Sequence, residues 1–239
     1  MSGPKGSARN DLKVRVKTAR GRRLSSTRWL ERQLNDPYVR EAKKLGYKSR
    51  AAFKLQEMDE KYGLLKPGMK VLDLGAAPGG WLQVAAQKVG SAQGQGRVLG
   101  IDLLEIEPIA GCETVQMDFL DDDAEERLLA MMDGPLDLVV SDMAAATTGH
   151  KPTDHIRTTH LCECALDFAI RVLAPGGGFV AKVFQGGATG SLMEGLKQNF
   201  KTVKHVKPNA SRKESVELYV VAQGFRGGHN TANDFLAGR

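Results

Sequence analysis

The stretch "KVLDLGAAPGGW", residues 70–81, decides the fold that the sequence predicts. It starts with an apolar run typical of a buried strand, passes into a turn rich in glycine and alanine, and leads into a helical pattern. Glycines such as Gly79 and Gly80 allow the backbone to approach a ligand closely, and they open the helix that follows. The stretch therefore predicts a nucleotide-binding turn between a strand and a helix.

Strand and helix patterns alternate along the rest of the chain. We predict further strands at 96–104, 113–120, 136–143, 177–186, 201–207 and 215–225, and helices at 80–90, 121–132, 159–177 and 189–200. Such alternation is typical of a parallel sheet with helices on both faces. The last two strands are joined by a segment too short for a helix, so they must be antiparallel. The predicted fold is α/β, with a seven-stranded, mostly parallel sheet and one reversed strand.

Helical patterns also precede the glycine-rich turn. Residues 27–45 favour one or two short helices interrupted near Asp36-Pro37, because the residue before a proline avoids helical backbone. A second amphipathic pattern favours a helix that Ser49 caps and that ends near Gly63.

Length and charge predict one domain between two tails. A chain of 239 residues can bury one sizeable core. Residues 1–35 hold ten Lys or Arg and two acids, a net charge of +8, which leaves −2 for the remainder. We predict a basic, disordered tail over 1–27, a globular domain over 28–225 and a frayed tail over 226–239.

The composition also limits the class of protein. A basic tail is typical of proteins that bind nucleic-acid phosphates. The longest apolar runs, of about eight residues, are far too short to span a bilayer. An odd number of cysteines without a C-x-x-C pair argues against a disulfide framework and a structural zinc site, and no histidine has metal-ligand spacing. We expect a cytoplasmic protein without a bound metal, and nothing indicates an obligate dimer, so we expect a monomer.

Acidic residues recur where the predicted strands end. They are Asp73, Asp102, Asp118 and Asp142. In open α/β sheets, ligands bind beyond these ends, and a carboxylate at the position of Asp102 is typical of ribose binding. Asp118 could accept a hydrogen bond from an adenine amino group. The turn lacks both G-x-G-x-x-G and Gly-Lys-Ser/Thr, so a cationic, phosphate-free adenosine fits better than a pyrophosphate, and S-adenosylmethionine meets that description.

The motifs "SRAAFKL", "LDLGAAPGGW", "SDMA", "FVAKVFQG" and "SVELYVVA" follow one another in this order. Together they resemble the RrmJ/FtsJ family of RNA ribose 2′-O-methyltransferases, over about residues 28–224. The resemblance implies a Rossmann-like methyltransferase fold. Residues 28–55 are similar to the bacterial branch that acts on large-subunit ribosomal RNA, which implies a uridine ribose of 23S-type RNA, in the assembled subunit, as the target. By the same resemblance, S-adenosylmethionine would be bound by Gly79, Trp81, Asp102, Asp118 and Asp142.

The resemblance also implies a catalytic set of Lys54, Asp142, Lys182 and Glu217. A ribose hydroxyl holds its proton tightly near neutral pH, so a positioned base helps it to attack. Our hypothesis is that Lys182, when neutral, is this base and that the other three position it and the ribose. The family usually has Pro-Asn after "SDMA", whereas this chain has Ala145-Ala146, a departure that concerns the substrate loop near 144–153.

Cations around the open edge are the predicted contacts to RNA. They are Arg28, Lys43, Lys44, Lys48, Arg50, Lys207, Arg212 and Lys213. Transfer RNA as the substrate and a noncatalytic, RNA-binding ribosome assembly factor remain the alternatives. A nicotinamide oxidoreductase is disfavoured because the dinucleotide fingerprint is missing.

Overall fold

A computed structural model describes residues 15, 16, 18, 21–145, 148–184 and 190–227 of the chain. The strands are β1 (Lys70–Leu74), β2 (Arg97–Asp102), β3 (Cys112–Gln116), β4 (Leu136–Ser141), β5 (Leu173–Phe184), β6 (Phe200–Val206) and β7 (Glu217–Phe225). They form one sheet in the order β3-β2-β1-β4-β5-β7-β6. β7 runs antiparallel to both of its neighbours, whereas the pairs from β3 to β5 are parallel. The predicted seven-stranded sheet with one reversed strand is confirmed.

Helices cover both faces of this sheet. They are α1 (Leu24–Asn35), α2 (Pro37–Leu45), α3 (Ala52–Tyr62), α4 (Gly80–Val89), α5 (Ala124–Met131), α6 (Lys151–Val172) and α7 (Gly190–Asn199). The core on one face joins the sheet to α5, α6 and α7, and the core on the other joins it to α3 and α4. Leu72 and Leu74 belong to the first core and Val71 to the second, which explains why β1 has apolar residues on both of its faces.

The order of the strands reverses between β1 and β4. The chain passes from β1 outward to β2 and β3, then returns to β4 on the other side of β1. At such a point, the connections leave a crevice at the carboxyl ends of the strands. The glycine-rich turn after β1 and the Ser141-Asp142 segment at the end of β4 lie on the two sides of this crevice.

The helix predicted over 159–177 has other limits. α6 begins at Lys151 and ends at Val172, and β5 begins directly at Leu173. Pro175 cannot donate a ladder hydrogen bond and favours extended backbone before it, so the chain leaves the helix earlier than predicted. The pairing of β5 with β4 shifts register between Leu136 and Leu138, which accommodates the proline–glycine segment within the strand.

The predicted cap of α3 is wrong. α3 begins at Ala52, its N-cap is Ala51, and no side chain caps it. The Ser49 carbonyl accepts the first turn's hydrogen bond from the Ala52 amide, and a Cβ placed on Gly80 would collide with Ser49 Oγ. Ser49 therefore packs against the start of α4, and the missing side chain of Gly80 serves this packing.

The break between α1 and α2 falls at the predicted place. The Asp36 carboxylate accepts a hydrogen bond from the Tyr38 amide at 3.0 Å, and Pro37 begins α2. α1 begins at Leu24, before the predicted domain start at residue 28. The predicted tails lie mostly outside the described residues. Within the described ranges, no helix is long and apolar enough to cross a membrane.

Candidate active site

The glycine-rich turn is held against the end of β2. The amides of Gly75 and Ala76 both donate to the Ile101 carbonyl at 2.9 Å. The Asp102 carboxylate accepts from the Ala77 amide with one oxygen and from the Leu104 amide with the other, each at 2.9 Å. Asp102 therefore fixes the turn as well as facing the crevice, and this double role was not apparent from the sequence.

Gly79 has the backbone conformation that the predicted turn requires. Its φ is +108°, which side chains other than glycine rarely adopt, and a Cβ there would collide with Ile109. The position therefore brings the backbone into close contact with the segment after β2. Asp118, after β3, accepts a hydrogen bond from the Leu120 amide at 2.9 Å, in the same local turn that Asp102 makes with Leu104.

Asp73 is a buried carboxyl without a hydrogen-bond partner. Its side chain is 1% exposed, and neither carboxylate oxygen is hydrogen-bonded within the described residues. Burial, together with the charges of Asp142 and Asp102, raises the pKa of Asp73 well above its ordinary value. This concentration of acids, one of them unsatisfied, suits a cationic ligand with a ribose. The residues present thus fit S-adenosylmethionine.

Lys182 and Asp142 form the centre of a second group of side chains. Lys182 is 8% exposed on β5. Its Nζ donates to the Asp142 carbonyl at 2.6 Å and lies 2.9 Å from Asp142 Oδ1. β5 is an internal strand, flanked by β4 and β7, and the lysine is paired, as its burial requires.

Lys54 and Glu217 join this group from two other elements. Lys54 Nζ, on α3, lies 2.7 Å from Glu217 Oε1 on β7 and 3.9 Å from Asp142 Oδ2. Ser211 also donates to Glu217 Oε1 at 2.9 Å. β7 lies inside the sheet and Glu217 is paired, so a solvated position for Glu217 is excluded. All four residues of the predicted catalytic set therefore meet in one network.

Tyr219 connects the two pairs and was missed by the sequence analysis. Its hydroxyl donates to Asp142 Oδ1 at 2.6 Å and accepts from Lys54 Nζ at 2.9 Å. The side chain is fully buried, and its backbone lies opposite Lys182 in the β5–β7 pairing. One signal was available, because residues two apart in a strand share a face and Tyr219 is two residues after Glu217.

The charges in this network fix the protonation of two groups. Burial would raise the pKa of the Asp142 carboxyl, but the ammonium groups of Lys182 and Lys54 and the Tyr219 hydroxyl outweigh it and lower that pKa below its ordinary value. Burial, then the charges of Asp142 and Glu217, raises the pKa of Tyr219 well above its ordinary value. Asp142 is thus a carboxylate and Tyr219 a neutral phenol near pH 7.

Trp81 is buried in the core at the start of α4. It is 3% exposed, its indole Nε1 donates to the Ala51 carbonyl at 2.8 Å, and its ring packs 5.7 Å from that of Tyr219. In this position it supports the start of α3 and the ring of Tyr219. The contact with S-adenosylmethionine that the resemblance implies for Trp81 stays a prediction.

Several predicted RNA contacts are engaged within the protein. Lys48 Nζ lies 2.7 Å from Glu107, and Lys207 Nζ donates to two carbonyls of its own loop. Arg50 pairs with Asp36, to which Arg212 is also bound at 3.5 Å. Arg28, Lys43 and Lys44 are exposed at the surface, and Lys44 Nζ lies 3.7 Å from Glu41 Oε1.

Comparison with known proteins gives one family. The profile described as FtsJ-like methyltransferase matches residues 47–225. A "Ribosomal RNA large subunit methyltransferase E" from Azorhizobium caulinodans is 60% identical over 98% of this chain and 97% of its own, and one from Xanthobacter autotrophicus is 62% identical over 94% and 88%. A solved ribosomal RNA methyltransferase from Plasmodium falciparum superposes with a TM-score of 0.67 at 30% identity, over 76% of this chain and all of that one.

Proposed function

Because this chain belongs to the FtsJ-like methyltransferase family, we propose that it methylates the 2′-hydroxyl of a uridine ribose in large-subunit, 23S-type ribosomal RNA. One observation supports the chemistry most strongly. Lys54, Asp142, Lys182 and Glu217 come from four separate parts of the chain and meet in one ionic network beside the crevice.

S-adenosylmethionine is the proposed methyl donor. When bound, it supplies an electrophilic methyl group on a sulfonium. Asp102 would hold the ribose hydroxyls and Asp118 the adenine amino group, while the backbone at Gly79 forms the floor of the turn. Asp142 lies between the acids of the turn and the two lysines, so it would face both the donor and the ribose that accepts the methyl group.

Lys182 is the proposed general base. Its Nζ lies 2.9 Å from Asp142 Oδ1, and only a neutral amine can act as a base. The neutral amine would then accept the proton of the ribose 2′-hydroxyl as that oxygen attacks the methyl carbon. General-base catalysis typically contributes ~10²–10⁴-fold to a rate. Alignment of the hydroxyl with the methyl group contributes further, because attack requires a fixed line of approach.

Lys54, Glu217 and Tyr219 would hold the acceptor side in place. Lys54 is oriented by Glu217 and by the Tyr219 hydroxyl, so its remaining N–H can be directed at the ribose. Tyr219, a neutral donor, keeps Asp142 Oδ1 at a fixed position beside Lys182. The network needs no rearrangement before the substrate arrives, which is the condition for electrostatic preorganisation.

The names of the relatives support ribosomal RNA as the substrate. We further propose that the assembled large subunit is the form that is methylated, that the protein acts as a monomer, and that it acts in the cytoplasm, where this substrate would be. The exposed cations of α1 and α2 favour a polyanionic partner.

Methyl transfer to three substrates tests this function. Purified protein and methyl-labelled S-adenosylmethionine are incubated with assembled large subunits, stripped ribosomal RNA or transfer RNA, and the products are mapped for ribose methylation. We expect one 2′-O-methyluridine in large-subunit RNA and the fastest transfer to assembled subunits. If only transfer RNA is methylated, then transfer RNA is the substrate. If the protein binds subunits but methylates none of the three RNAs, it is an assembly factor.

A further inference from the structure

The Glu217 carboxylate is held by more than its pair with Lys54. Its Oε1 lies 2.7 Å from Lys54 Nζ and also accepts a hydrogen bond from Ser211 Oγ at 2.9 Å. Glu217 is the first residue of β7, and its amide donates to Ser215 Oγ at 3.2 Å. A long, rotatable side chain loses conformational freedom when it is fixed. Two donors on one carboxylate oxygen therefore define its position better than the lysine alone would.

Ser211 is itself fixed by a turn in the connection between β6 and β7, residues 207–216. The residue is 5% exposed, and its amide donates to the Pro208 carbonyl at 2.9 Å. A buried hydroxyl is normally hydrogen-bonded, and Glu217 provides the acceptor here. The backbone of this turn thus determines where Ser211 presents its hydroxyl to the carboxylate.

The 208–211 turn is bound to α3 by the carboxylate of Glu57. Glu57 Oε2 accepts from the Asn209 amide at 2.5 Å, and Oε1 accepts from the Ala210 amide at 3.0 Å. The Ala210 carbonyl accepts from Arg50, which precedes α3 in the chain. Hydrogen bonds from backbone amides to a carboxylate are stronger than those between neutral groups. The turn therefore has a fixed position relative to α3.

These contacts form a closed ring around the catalytic pair. Lys54 and Glu57 are three residues apart on α3, so they are neighbours on the surface of that helix. The helix reaches Glu217 directly through Lys54 and indirectly through Glu57, the 208–211 turn and Ser211. Both routes end on the same atom, Oε1 of Glu217. A shift of the turn would therefore move the carboxylate that orients the lysine.

We propose that Glu57 and Ser211 are positioning residues for methyl transfer. Glu57 fixes the 208–211 turn on α3, and Ser211 fixes the Glu217 carboxylate, which directs Lys54 at the ribose. Both residues act through others, and neither contacts the reacting atoms. The proposal rests on the proposed function, in which Lys54 and Glu217 hold the acceptor side. Charged groups that are already in place need no reorganisation during the reaction, which lowers its barrier.

Ser211→Ala, compared with Ser191→Ala, tests the role of the hydroxyl. Ser191 is the matched control, because its Oγ on α7 also donates to a glutamate, Glu163, at 3.2 Å but in an exposed position. For Ser211→Ala we expect the single-turnover rate on assembled large subunits, at saturating S-adenosylmethionine, to fall about tenfold. KM for subunits and the dissociation constant for S-adenosylmethionine should not change. A rate equal to that of Ser191→Ala, with or without a lower Tm, would overturn the proposal.

The same substitution in a Glu217→Ala background tests whether Ser211 acts through Glu217. The hydrogen bond between the two residues is already lost in Glu217→Ala, so we expect Ser211→Ala to lower the remaining rate by less than about twofold. A further tenfold loss would mean that the two effects are independent. That result would overturn positioning through the carboxylate.

Glu57→Gln, compared with Glu60→Gln, tests the attachment of the turn. Glutamine keeps the length of the side chain but offers one acceptor oxygen to two amides, whereas Glu60 is exposed on the same helix and loses the same charge. We expect Glu57→Gln to lower the single-turnover rate about three- to tenfold, and Glu60→Gln to stay within about twofold of the wild type. A lower Tm with an unchanged rate would leave Glu57 with a structural role only and overturn its part in the proposal.

The wild type measured in the same assays separates this proposal from the proposed function. If the wild type transfers no methyl group to ribosomal RNA, the proposed function is wrong and the positioning roles fall with it. If the wild type is active and both Ser211→Ala and Glu57→Gln match their controls in rate, only the positioning roles are wrong.

Discussion

The two sides of the crevice satisfy their charges in opposite ways. On the side of the glycine-rich turn, Asp102 and Asp118 are bonded to backbone amides, and Asp73 has no partner among the described residues. On the side of β5 and β7, the Asp142 and Glu217 carboxylates are paired with lysines. The first side has three acids that pair with no lysine or arginine among the described residues, and the second is a network of paired charges before any ligand arrives.

The contrast is clearest in the carboxyl pKa values of Asp73 and Asp142, which are shifted in opposite directions. Asp73 lies within β1, and Asp142 directly follows the neighbouring strand β4, yet the pKa of Asp73 is raised and that of Asp142 is lowered. The difference comes from Lys182 and Lys54, which pair with Asp142, whereas Asp73 has no such partner among the described residues. Burial raises the pKa of both carboxyls, and the neighbouring ammonium groups reverse the direction for Asp142. We infer that the first side binds the donor and the second prepares the acceptor.

Lys182→Met should lower the rate of methyl transfer more than any other variant proposed here. Methionine keeps the length and the apolar stem of the lysine but cannot accept a proton. We expect methyl transfer to fall by about 10³-fold, within the range of a lost general base, while S-adenosylmethionine binds with unchanged affinity. Turnover with assembled subunits and calorimetric binding measure the two quantities. Lys197→Met, a change on α7 away from the crevice, is the control.

Asp102→Asn should weaken only the binding of S-adenosylmethionine, on the side of the glycine-rich turn. It removes a charge that holds both the turn and the proposed ribose, so we expect the dissociation constant for S-adenosylmethionine to rise about 10–100-fold, as for a lost hydrogen bond to a charged group. Titration calorimetry measures this change. An unchanged dissociation constant would mean that Asp102 has only its observed role, as a clamp of the turn.

Tyr219→Phe should weaken the link between the two lysine–carboxylate pairs. The ring stays in the core against Trp81, so the fold should persist, and only the hydroxyl is lost. We expect kcat to fall about tenfold, equivalent to roughly 1.4 kcal/mol, with KM for subunits nearly unchanged. A changed KM with an unchanged kcat would show that Tyr219 acts in binding and does not position the catalytic network.

Asp73→Asn should have the smallest effect and should appear in stability. A folded-state pKa raised above the unfolded value of about 3.9 makes the folded chain lose stability as pH rises between those two values. Asparagine does not titrate, so the variant does not lose stability in this pH range. Its Tm should therefore exceed that of the wild type by an amount that grows above about pH 4, on the order of 2–4 °C for each 1 kcal/mol.

Thermal unfolding between pH 4 and 8, without ligand, measures this difference. Asp142 should contribute in the opposite direction, since a lowered folded-state pKa gives stability above the unfolded pKa that is lost as pH falls through the folded one. A Tm difference between wild type and Asp73→Asn that does not vary with pH would contradict the account of Asp73.

The sequence predicted the sheet well because its strands are local patterns. Seven separate strand patterns predicted the strand count, and the short link between β6 and β7 predicted the reversed strand. The ends of α6 and the start of α3 were not predictable in this way. They depend on how Leu173 pairs with β4 and on how Ser49 packs against Gly80, which are tertiary contacts.

The site was predicted less completely than the sheet. The acids at the strand ends follow from strand patterns, but Lys54 was identified only through family resemblance, because a lysine on an amphipathic helix is usually a surface residue. Tyr219 reads as one more core residue of β7. Its role depends on Lys54, which is 165 positions away in sequence, and on Asp142, so neither propensity nor spacing could reveal it.

Single-turnover methyl transfer at saturating S-adenosylmethionine, with Asp102→Asn and Lys182→Met measured side by side on assembled large subunits, tests the division between the two sides most directly. We predict that Asp102→Asn reaches a rate within a few fold of the wild type, because saturation overcomes its weaker binding, whereas Lys182→Met remains about 10³-fold slower. Equal losses in the two variants would contradict the account, since donor binding and acceptor activation would then be inseparable.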